Sequence, residues 1–320
     1  MSDVCLVVVF NHRFEHNLET LDRIYKDRFS SITYLMPFYE GDRPDVIPVY
    51  ESSFQFQGFF AQAYDRFYDE RYSHYIFVAD DMLLNPCLDE RNIVAELGLD
   101  AETAYIQNLN PVTAQHSLWP HTGSAYDAFR YGRSGTNHQG ELPETEEALE
   151  QFAALGIRYD PYFSPRTALR WANAQNLRYL REDTRHGDQV WHFLRRHRIP
   201  YPLLKGYSDF LVIPGTSIRR FCHLCGVFAA MRLFAEIAIP TSIGLTCTRV
   251  RTEDRLFGRD AGASHQAGQV RYKGITLWRP EEWEAIWPAD NRDLRAFLQS
   301  FHEDWLYMHP VKLSQWRYDV

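Results

Sequence analysis

Strands and helices alternate over the first 80 residues, and this alternation constrains the fold more than any other feature of the sequence. The run DVCLVVVFN is almost entirely apolar and rich in Val, which is typical of a strand buried on both faces. Two more strand-like runs follow, SITYLMPFY and HYIFVAD, and an amphipathic segment precedes each of them. This order predicts a mostly parallel sheet, because parallel neighbours need a crossover connection and a helix usually supplies it.

The rest of the chain extends this α/β plan within one predicted domain, residues 1–320. Its 320 residues, 45% of them hydrophobic, are enough for one large core. We expect residues 96–195, which are polar and irregular and then acidic, to form a partly helical insertion over the sheet. The run SIRRFCHLCGVFAAMRLFAEIAI predicts one buried helix, which Pro240 ends.

Composition and charge argue against several classes of function. The formal net charge of −8 disfavours a broad nucleic-acid interface. The N-terminal apolar run lacks a basic flank and is too short for a signal peptide or a transmembrane segment. The five cysteines include one CxxC without a second pair, so we expect free thiols and a cytoplasmic protein. This expectation is compatible with peripheral attachment to a membrane.

Two adjacent carboxylates, Asp80 and Asp81, end the third strand, and Asn11 ends the first. Ligands bind outside the carboxyl ends of the strands in an open parallel sheet, so these side chains are candidates for a binding site. Neighbouring carboxylates repel each other unless a cation or hydrogen-bond donors lie between them. Oxygen-rich sites of this kind suit Mg²⁺ or Mn²⁺, which substrate phosphates then complete. The alternative is a polar strand end that caps the next turn.

The motif FVADD, together with the strand VVVFN and the helix that leads into the motif, resembles the GT-A class of nucleotide-sugar glycosyltransferases. The resemblance implies a GT-A-like, Rossmann-like fold in which FVADD occupies the place of the DXD motif. Ala79 stands where that motif has its first aspartate. Aligned on the last acidic residue, Asp81 would be the metal ligand, and Asp80 would contact the ribose, the metal or a metal-bound water. The sequence leaves the choice of direct ligand open.

The C-terminal motif HPVKLSQW adds to this resemblance. Several GT-A enzymes bring a late His back to the metal, and in some of them a following Lys contacts the diphosphate. The resemblance therefore implies that His309 is a metal ligand, that Lys312 contacts phosphate and that Trp316 lines the pocket. A neutral imidazole beside carboxylates favours Mn²⁺ over Mg²⁺, and Lys supplies a point charge for phosphate.

Two further carboxylates are candidates for the catalytic base. Glu236 lies in the apolar segment LFAEIAIP, where a lone carboxylate is costly to bury unless it is paired or functional. Its position resembles the acidic residue that GT-A enzymes carry on a helix under the acceptor. The alternative is an ion pair with Arg232, four residues earlier. Asp209, in GYSDFLVIP, is a candidate for orienting the acceptor or acting as base, or it simply ends a strand.

Two polar side chains are candidates for contacting the nucleotide. Asn11 follows the first strand and would bind the nucleobase or the ribose, although Asn is also an ordinary turn residue. Gln57 opens the second helix and would contact the nucleotide, or it is a plain helix start.

The function that the resemblance implies is sugar transfer from a nucleoside diphosphate sugar to a hydroxyl of a glycan or glycolipid, in polysaccharide or glycolipid biosynthesis. Residues 1–95 would form the nucleotide-binding half, and residues 196–320 the acceptor-side half with a tail that closes over the metal. One alternative is a sugar nucleotidyltransferase, which the glycine-free segment FNHRFEHN disfavours. The other is a catalytically inactive GT-A-like protein that binds nucleotides or glycans, to which Ala79 in the motif gives weight.

Overall fold

The strand–helix alternation of the sequence is present in the folded chain and continues into its second half. The computed structural model describes residues 3–114, 121, 125, 128–129, 138–162, 199–253, 272–277, 279–287 and 292–318. The strands are β1 (Val4–Val9), β2 (Ile32–Pro37), β3 (Val46–Val49), β4 (His74–Ala79), β5 (Leu83–Leu84), β6 (Thr103–Ile106), β7 (Asn110–Pro111), β8 (Leu204–Lys205), β9 (Phe210–Pro214), β10 (Arg249–Arg251), β11 (Lys273–Thr276) and β12 (Trp305–His309). The helices are α1 (Asn17–Tyr25), α2 (Gln57–Phe67), α3 (Ile93–Glu96), α4 (Thr145–Ala154), α5 (Gly215–Ala230), α6 (Ala235–Thr246), α7 (Pro280–Ile286) and α8 (Leu294–Gln299).

Seven strands form the central sheet, in the order β10–β6–β9–β4–β1–β2–β3. Strand β1 pairs in parallel with both β4 and β2, β2 pairs in parallel with β3, and β10 pairs in parallel with β6. Strand β9 runs antiparallel to both of its neighbours, β4 and β6. The predicted α/β architecture, a large and mostly parallel central sheet flanked by helices, is therefore confirmed.

Alternate residues of β1 pack into two separate hydrophobic cores. Val7 and its neighbours on one face join a core with α2, α5 and α6, in which the rings of Phe60 and Phe77 lie 4.5 Å apart. Val8 on the other face joins a core with α1, α8 and β12. Because both faces are covered, every residue of β1 is buried, which explains the unbroken apolar run in the sequence.

A second sheet of three strands returns the C-terminal part of the chain to the end of β4. Strand β12 pairs in parallel with β11 and antiparallel with β5, in the order β11–β12–β5. Strand β5 begins only three residues beyond β4. None of the strand-like runs identified in the sequence lies in this sheet, which positions the C-terminal motif.

The apolar run 217–239, predicted as one helix, forms parts of two helices, and this prediction was wrong. Helix α5 ends at Ala230, and Arg232 has a left-handed φ of 60°, which breaks the helical path before α6 begins. Pro240 lies inside α6 and does not end it. A proline lacks the N–H that would bond the carbonyl four residues earlier, and that carbonyl, of Glu236, accepts a hydrogen bond from the Gly206 N–H at 3.1 Å instead.

The helices are of ordinary length. The longest of those described, α5, has 16 residues. None of the described helices is long and apolar enough to cross a lipid bilayer.

The segment predicted as an insertion, residues 96–195, contributes one strand to the central sheet. Strand β6 lies in it, between β10 and β9, with all four of its residues buried. Helix α4 is the predicted helical part of this segment, and it packs against α6. The central sheet therefore extends into this segment, of which residues 115–120, 122–124, 126–127, 130–137 and 163–195 lie outside the described part of the chain.

Candidate active site

The carboxyl ends of β1 and β4 bring Asn11 next to the two aspartates. Val9 pairs with Ala79 in the parallel register, so the residues beyond them continue side by side. The N–H of Asp80 donates to the Val9 carbonyl at 2.9 Å, and the N–H of Asn11 donates to Asp80 Oδ1 at 3.2 Å. These residues therefore occupy the edge at which a parallel sheet binds its ligands.

Asp80 is buried, with an exposed fraction of 4%, and it holds the loop between β1 and α1. It accepts the Asn11 N–H and forms a side-chain hydrogen bond with Asn17 at the start of α1. Burial and the neighbouring Asp81 carboxylate raise the pKa of Asp80 to about 7, against the effect of these hydrogen bonds. Asp80 is thus engaged in positioning the loop, and Asp81 is the member of the pair that can contact a ligand.

Asp209 reaches the same edge because β9 runs antiparallel to β4. The start of an antiparallel strand lies beside the end of its partner, and the Ala79 N–H donates to the Asp209 carbonyl at 2.9 Å. The Asp209 side chain, together with Asn11 and Ala79, lines a small cavity at this edge. Burial raises the pKa of Asp209, and the nearby His309 opposes this rise.

The three-stranded sheet brings His309 to the aspartates from the far end of the chain. Strand β12 ends at His309 and pairs with β5, and the Val311 N–H then donates to the Asp81 carbonyl. His309 Nε2 lies 3.3 Å from Asp81 Oδ1 and 3.8 Å from Asp209 Oδ2. The side chain of Asp81 is 31% exposed, against 19% for Asp209 and 10% for His309, so Asp81 is the most accessible of the three.

The imidazole ring of His309 is held in place by Tyr207. Its Nδ1 lies 2.6 Å from the Tyr207 hydroxyl oxygen. Burial lowers the pKa of His309, but the hydrogen bond and charge of Asp81, with the charges of Asp209 and Asp80, outweigh burial and raise it. A cationic ring donates Nδ1–H to Tyr207 and forms an ion pair with Asp81 through Nε2. A neutral ring that keeps the Nδ1 proton leaves Nε2 free as a metal ligand.

Glu236 lies in the first turn of α6, near Lys205. The alternative predicted for it, an ion pair with Arg232, is wrong because Arg232 lies outside this helix and pairs with Glu51 at 3.0 Å. Burial and the Asp209 carboxylate raise the pKa of Glu236 to about 7, and the Lys205 ammonium opposes this rise. Glu236 therefore titrates near neutral pH, as a general base should.

Replacing Glu236 with Gln should flatten the dependence of stability on pH between pH 4.5 and about 7. In this window the folded chain keeps a proton on Glu236 that the unfolded chain has released, since the ordinary pKa is 4.5. The folded state binds more protons than the unfolded state, so the free energy of unfolding falls as pH rises. The stability that Glu236 adds at low pH is lost above about pH 7. Urea denaturation at a series of pH values measures this slope.

The matched control for this experiment is Glu150→Gln, on the exposed face of α4. It removes the same carboxylate from a solvated position and should leave the slope as in the parent chain. A slope that Glu236→Gln does not change would contradict the raised pKa of the partly buried Glu236.

The donor atoms of this site suit a divalent cation. Asp81 Oδ1 is buried and accepts no hydrogen bond of normal geometry within the described part of the chain. A carboxylate oxygen of this kind beside an imidazole nitrogen offers two donors that Mn²⁺ accepts. The described residues contain no preformed group of three or more His, Cys, Asp or Glu side chains with metal-binding geometry. His309 must be unprotonated at Nε2 before it and Asp81, whose donor atoms lie 3.3 Å apart, can bind one cation.

Three residues predicted to contact the nucleotide make their contacts outside the edge formed by Asn11 and the aspartates. Gln57 is fully buried, and its Nε2 donates to the Leu233 carbonyl at 2.8 Å, so it supports the turn between α5 and α6. This burial does not suit the predicted nucleotide contact. Lys312 and Trp316 line a separate cleft beside the site, where the Trp316 ring packs against Phe297 at 5.0 Å.

Sequence reasoning missed Tyr207 and Lys205, which set the charge and orientation of this site. Both lie in LKGYSD, directly before β9. The signal that could have marked them is the short polar interruption between two apolar runs, immediately ahead of the candidate Asp209.

Comparison with known proteins gives no relative of this chain. No protein-family model matches it, no curated protein matches its sequence, and no solved structure matches it.

Proposed function

We propose that the protein is a metal-dependent glycosyltransferase, which moves a sugar from a nucleoside diphosphate sugar to a hydroxyl group of a glycan or glycolipid acceptor. The observation that carries this proposal is the meeting of Asp81, Asp209 and His309 at the carboxyl edge of the sheet. The motifs FVADD and HPVKLSQW, which resemble those of GT-A enzymes, supply Asp81 and His309. Polysaccharide or glycolipid biosynthesis is the process that such a reaction serves.

Asp81 and His309 are the residues that would hold Mn²⁺ or Mg²⁺. A bound cation would neutralise the negative charge that develops on the leaving diphosphate. Tyr207 orients the imidazole by its contact with Nδ1, which directs Nε2 towards the carboxylates. Asp80 holds Asn11 and the loop after β1 at the position where the nucleotide would bind.

Glu236 is the better of the two candidates for the general base. A pKa of about 7 leaves roughly half of the Glu236 side chains able to accept a proton at neutral pH, and makes each a stronger base than an ordinary carboxylate. In an inverting reaction Glu236 would take the proton of the acceptor hydroxyl as its oxygen attacks the anomeric carbon. Asp209, beside His309, would position the acceptor or assist in holding the cation. In a retaining reaction, the same carboxylates would position and stabilise the reacting groups.

Titration calorimetry with UDP, GDP and CDP, each with and without Mn²⁺, tests this proposal. At least one nucleotide should bind at least about tenfold more tightly with Mn²⁺ present, because a cation held by Asp81 and His309 would neutralise charge on the diphosphate. A hydrolysis screen of nucleotide sugars that carry the base so identified then finds the donor. Nucleotide binding that is equally tight without a cation would contradict the metal-dependent mechanism.

A second candidate function is nucleotide or glycan binding without catalysis. It is favoured by the absence of a preformed three-ligand group among the described residues and by Ala79 in the motif. The same calorimetry separates the two candidates, since a binding protein of this kind needs no cation and hydrolyses no donor.

Replacing Tyr207 with Phe should weaken Mn²⁺-dependent nucleotide binding by about 10–100-fold, the range for residues that orient a metal ligand. The change removes the hydroxyl that contacts His309 Nδ1 and keeps the aromatic ring stacked on Tyr307. Calorimetry with Mn²⁺ measures the effect, and NMR of the His309 ring reports its altered tautomer. Affinity that Tyr207→Phe leaves unchanged would mean that His309 does not bind the cation.

We also propose that the protein works in the cytoplasm. All five cysteines are free, and four of them are buried. Buried, unpaired thiols fit a reducing compartment, because no disulfide contributes to this fold.

A further inference from the structure

A cleft of about 270 Å³ lies beside the candidate active site, between α7, the start of α8 and the C-terminal segment. We call it the tryptophan cleft; its aromatic walls are Trp283, Trp287 and Trp316. The volume is just below the range of about 300–1,000 Å³ for small-molecule pockets, so it suits a sugar residue better than a whole nucleotide sugar.

The aromatic rings that line the tryptophan cleft pack against one another. The Trp316 ring lies 6.2 Å from that of Trp283 and 6.4 Å from that of Trp287, and it also packs on Phe297. Rings fixed in this way offer large apolar faces without a further loss of side-chain entropy on binding. The C–H face of a pyranose is a ligand surface that such faces accommodate.

The tryptophan cleft is locally positive in a chain whose formal net charge is −8. Its described lining includes the cations Arg279, Arg292 and Lys312, against the single carboxylate of Glu284. The Arg292 guanidinium lies 5.7 Å over the Trp316 ring centre, and its Nη1 donates to Gln315 at 3.4 Å. A guanidinium held on an aromatic face is the group that recognises carboxylate and phosphate oxygens best.

The tryptophan cleft adjoins the candidate active site through consecutive residues of the chain. His309 faces Asp81 and Asp209, and Pro310, the next residue, lines the cleft. Val311 then bonds to the Asp81 backbone, and Lys312 lines the cleft again. Adjacent α-carbons are only about 4 Å or less apart, so the lining of the cleft begins one residue beyond His309.

We propose that the tryptophan cleft binds an anionic sugar residue of the acceptor, with its ring against the tryptophans and its carboxylate or phosphate on Arg292 and Arg279. This inference rests on the proposed glycosyltransferase function and assigns its acceptor to the class of acidic saccharides. It places the acceptor beside the carboxylates and leaves the edge near Asn11 to the nucleotide.

Intrinsic tryptophan fluorescence of the full chain tests the tryptophan cleft directly, without an activity assay. The probes are glucuronic acid, glucose 6-phosphate, glucose and inorganic phosphate. One of the two acidic sugars should give a saturable change at least about tenfold tighter than glucose, and the comparison of the two identifies the anionic group. Arg292→Gln should weaken this binding by at least about tenfold, because the guanidinium contacts the anion. The matched control Arg295→Gln, exposed on α8 and outside the cleft lining, should bind as the parent chain does.

Several outcomes would overturn the inference. These are equal binding of glucose, binding of inorganic phosphate as tight as that of the acidic sugars, an equal loss in Arg292→Gln and Arg295→Gln, or no saturable change at all. Binding in the tryptophan cleft needs no Mn²⁺ and should persist in Asp81→Asn. A failed inference with intact Mn²⁺-dependent nucleotide binding leaves the proposed function standing. Binding of an acidic sugar in the tryptophan cleft without any Mn²⁺-dependent nucleotide binding would overturn the proposed function and the acceptor role, and would leave only a sugar-binding site.

Discussion

Asp81→Asn should abolish the Mn²⁺ dependence of nucleotide binding and lower sugar transfer by at least about 100-fold, more than the loss of an orienting residue causes. The substitution keeps the size of the side chain but removes the negative charge, and a neutral amide oxygen is a weak ligand for a divalent cation. Asp81 is also the most exposed of the three converging side chains, so it is the one that a cation reaches first. Calorimetry with and without Mn²⁺ measures the change, and circular dichroism checks that the fold is intact.

The control for this experiment is Asp42→Asn, in the exposed loop between β2 and β3. It changes the net charge of the chain by the same amount and should leave the Mn²⁺ effect as in the parent chain. If Asp81→Asn retains full Mn²⁺-dependent affinity, the cation binds elsewhere and the proposed mechanism is wrong.

Gly206→Ala should destabilise the fold by about 2–3 kcal/mol or more, as overpacking of a tight site does. A Cβ at this position would lie 2.2 Å from the Asn108 backbone carbonyl oxygen, so the backbone itself must move. The segment that moves carries Tyr207 and Asp209, and its N–H bond to the Glu236 carbonyl weakens as well. Because a misplacement of about 1 Å costs about 100-fold in rate, transfer should fall together with stability. Urea denaturation and a transfer assay measure the two effects.

Gly140→Ala is the matched control, because a Cβ there meets no atom within 4 Å. Its stability should match that of the parent chain, which separates the close approach at Gly206 from the general effect of losing a glycine. A Gly206→Ala chain as stable as the parent would show that this contact relaxes at little cost.

Segments with a clear apolar pattern predicted their secondary structure correctly, and segments without one did not. Strands β1 and β4 and helices α1 and α2 carry apolar patterns that match their burial, so they were predictable. The break at Arg232 was not, because apolar residues continue on both sides of it and the left-handed φ leaves no mark in the sequence. Pro240 predicted a helix end where the helix continues. The hydrogen bond from the Gly206 N–H to the Glu236 carbonyl makes the proline tolerable inside α6, and the sequence does not show this bond.

Site residues that belong to a sequence motif were predictable. Site residues that only tertiary contacts bring to the site were not. The structure brings Asp81 and His309, taken from two distant motifs, within 3.3 Å of each other, while their functional roles stay predictions. Nothing in the sequence connects Tyr207 with His309, because their contact depends on how β9 and β12 are placed. The burial of Gln57 likewise depends on the turn at Leu233, which pattern reasoning did not foresee.

The pairing of β12 with β5 also determines when the site can exist during synthesis. His309 follows Asp81 by 228 residues, so it is synthesised well after the two aspartates. At about 5–20 residues per second, the two are separated by on the order of ten seconds or more of translation. Throughout this interval a nascent chain carries Asp80 and Asp81 without the imidazole that contacts Asp81 in the folded protein.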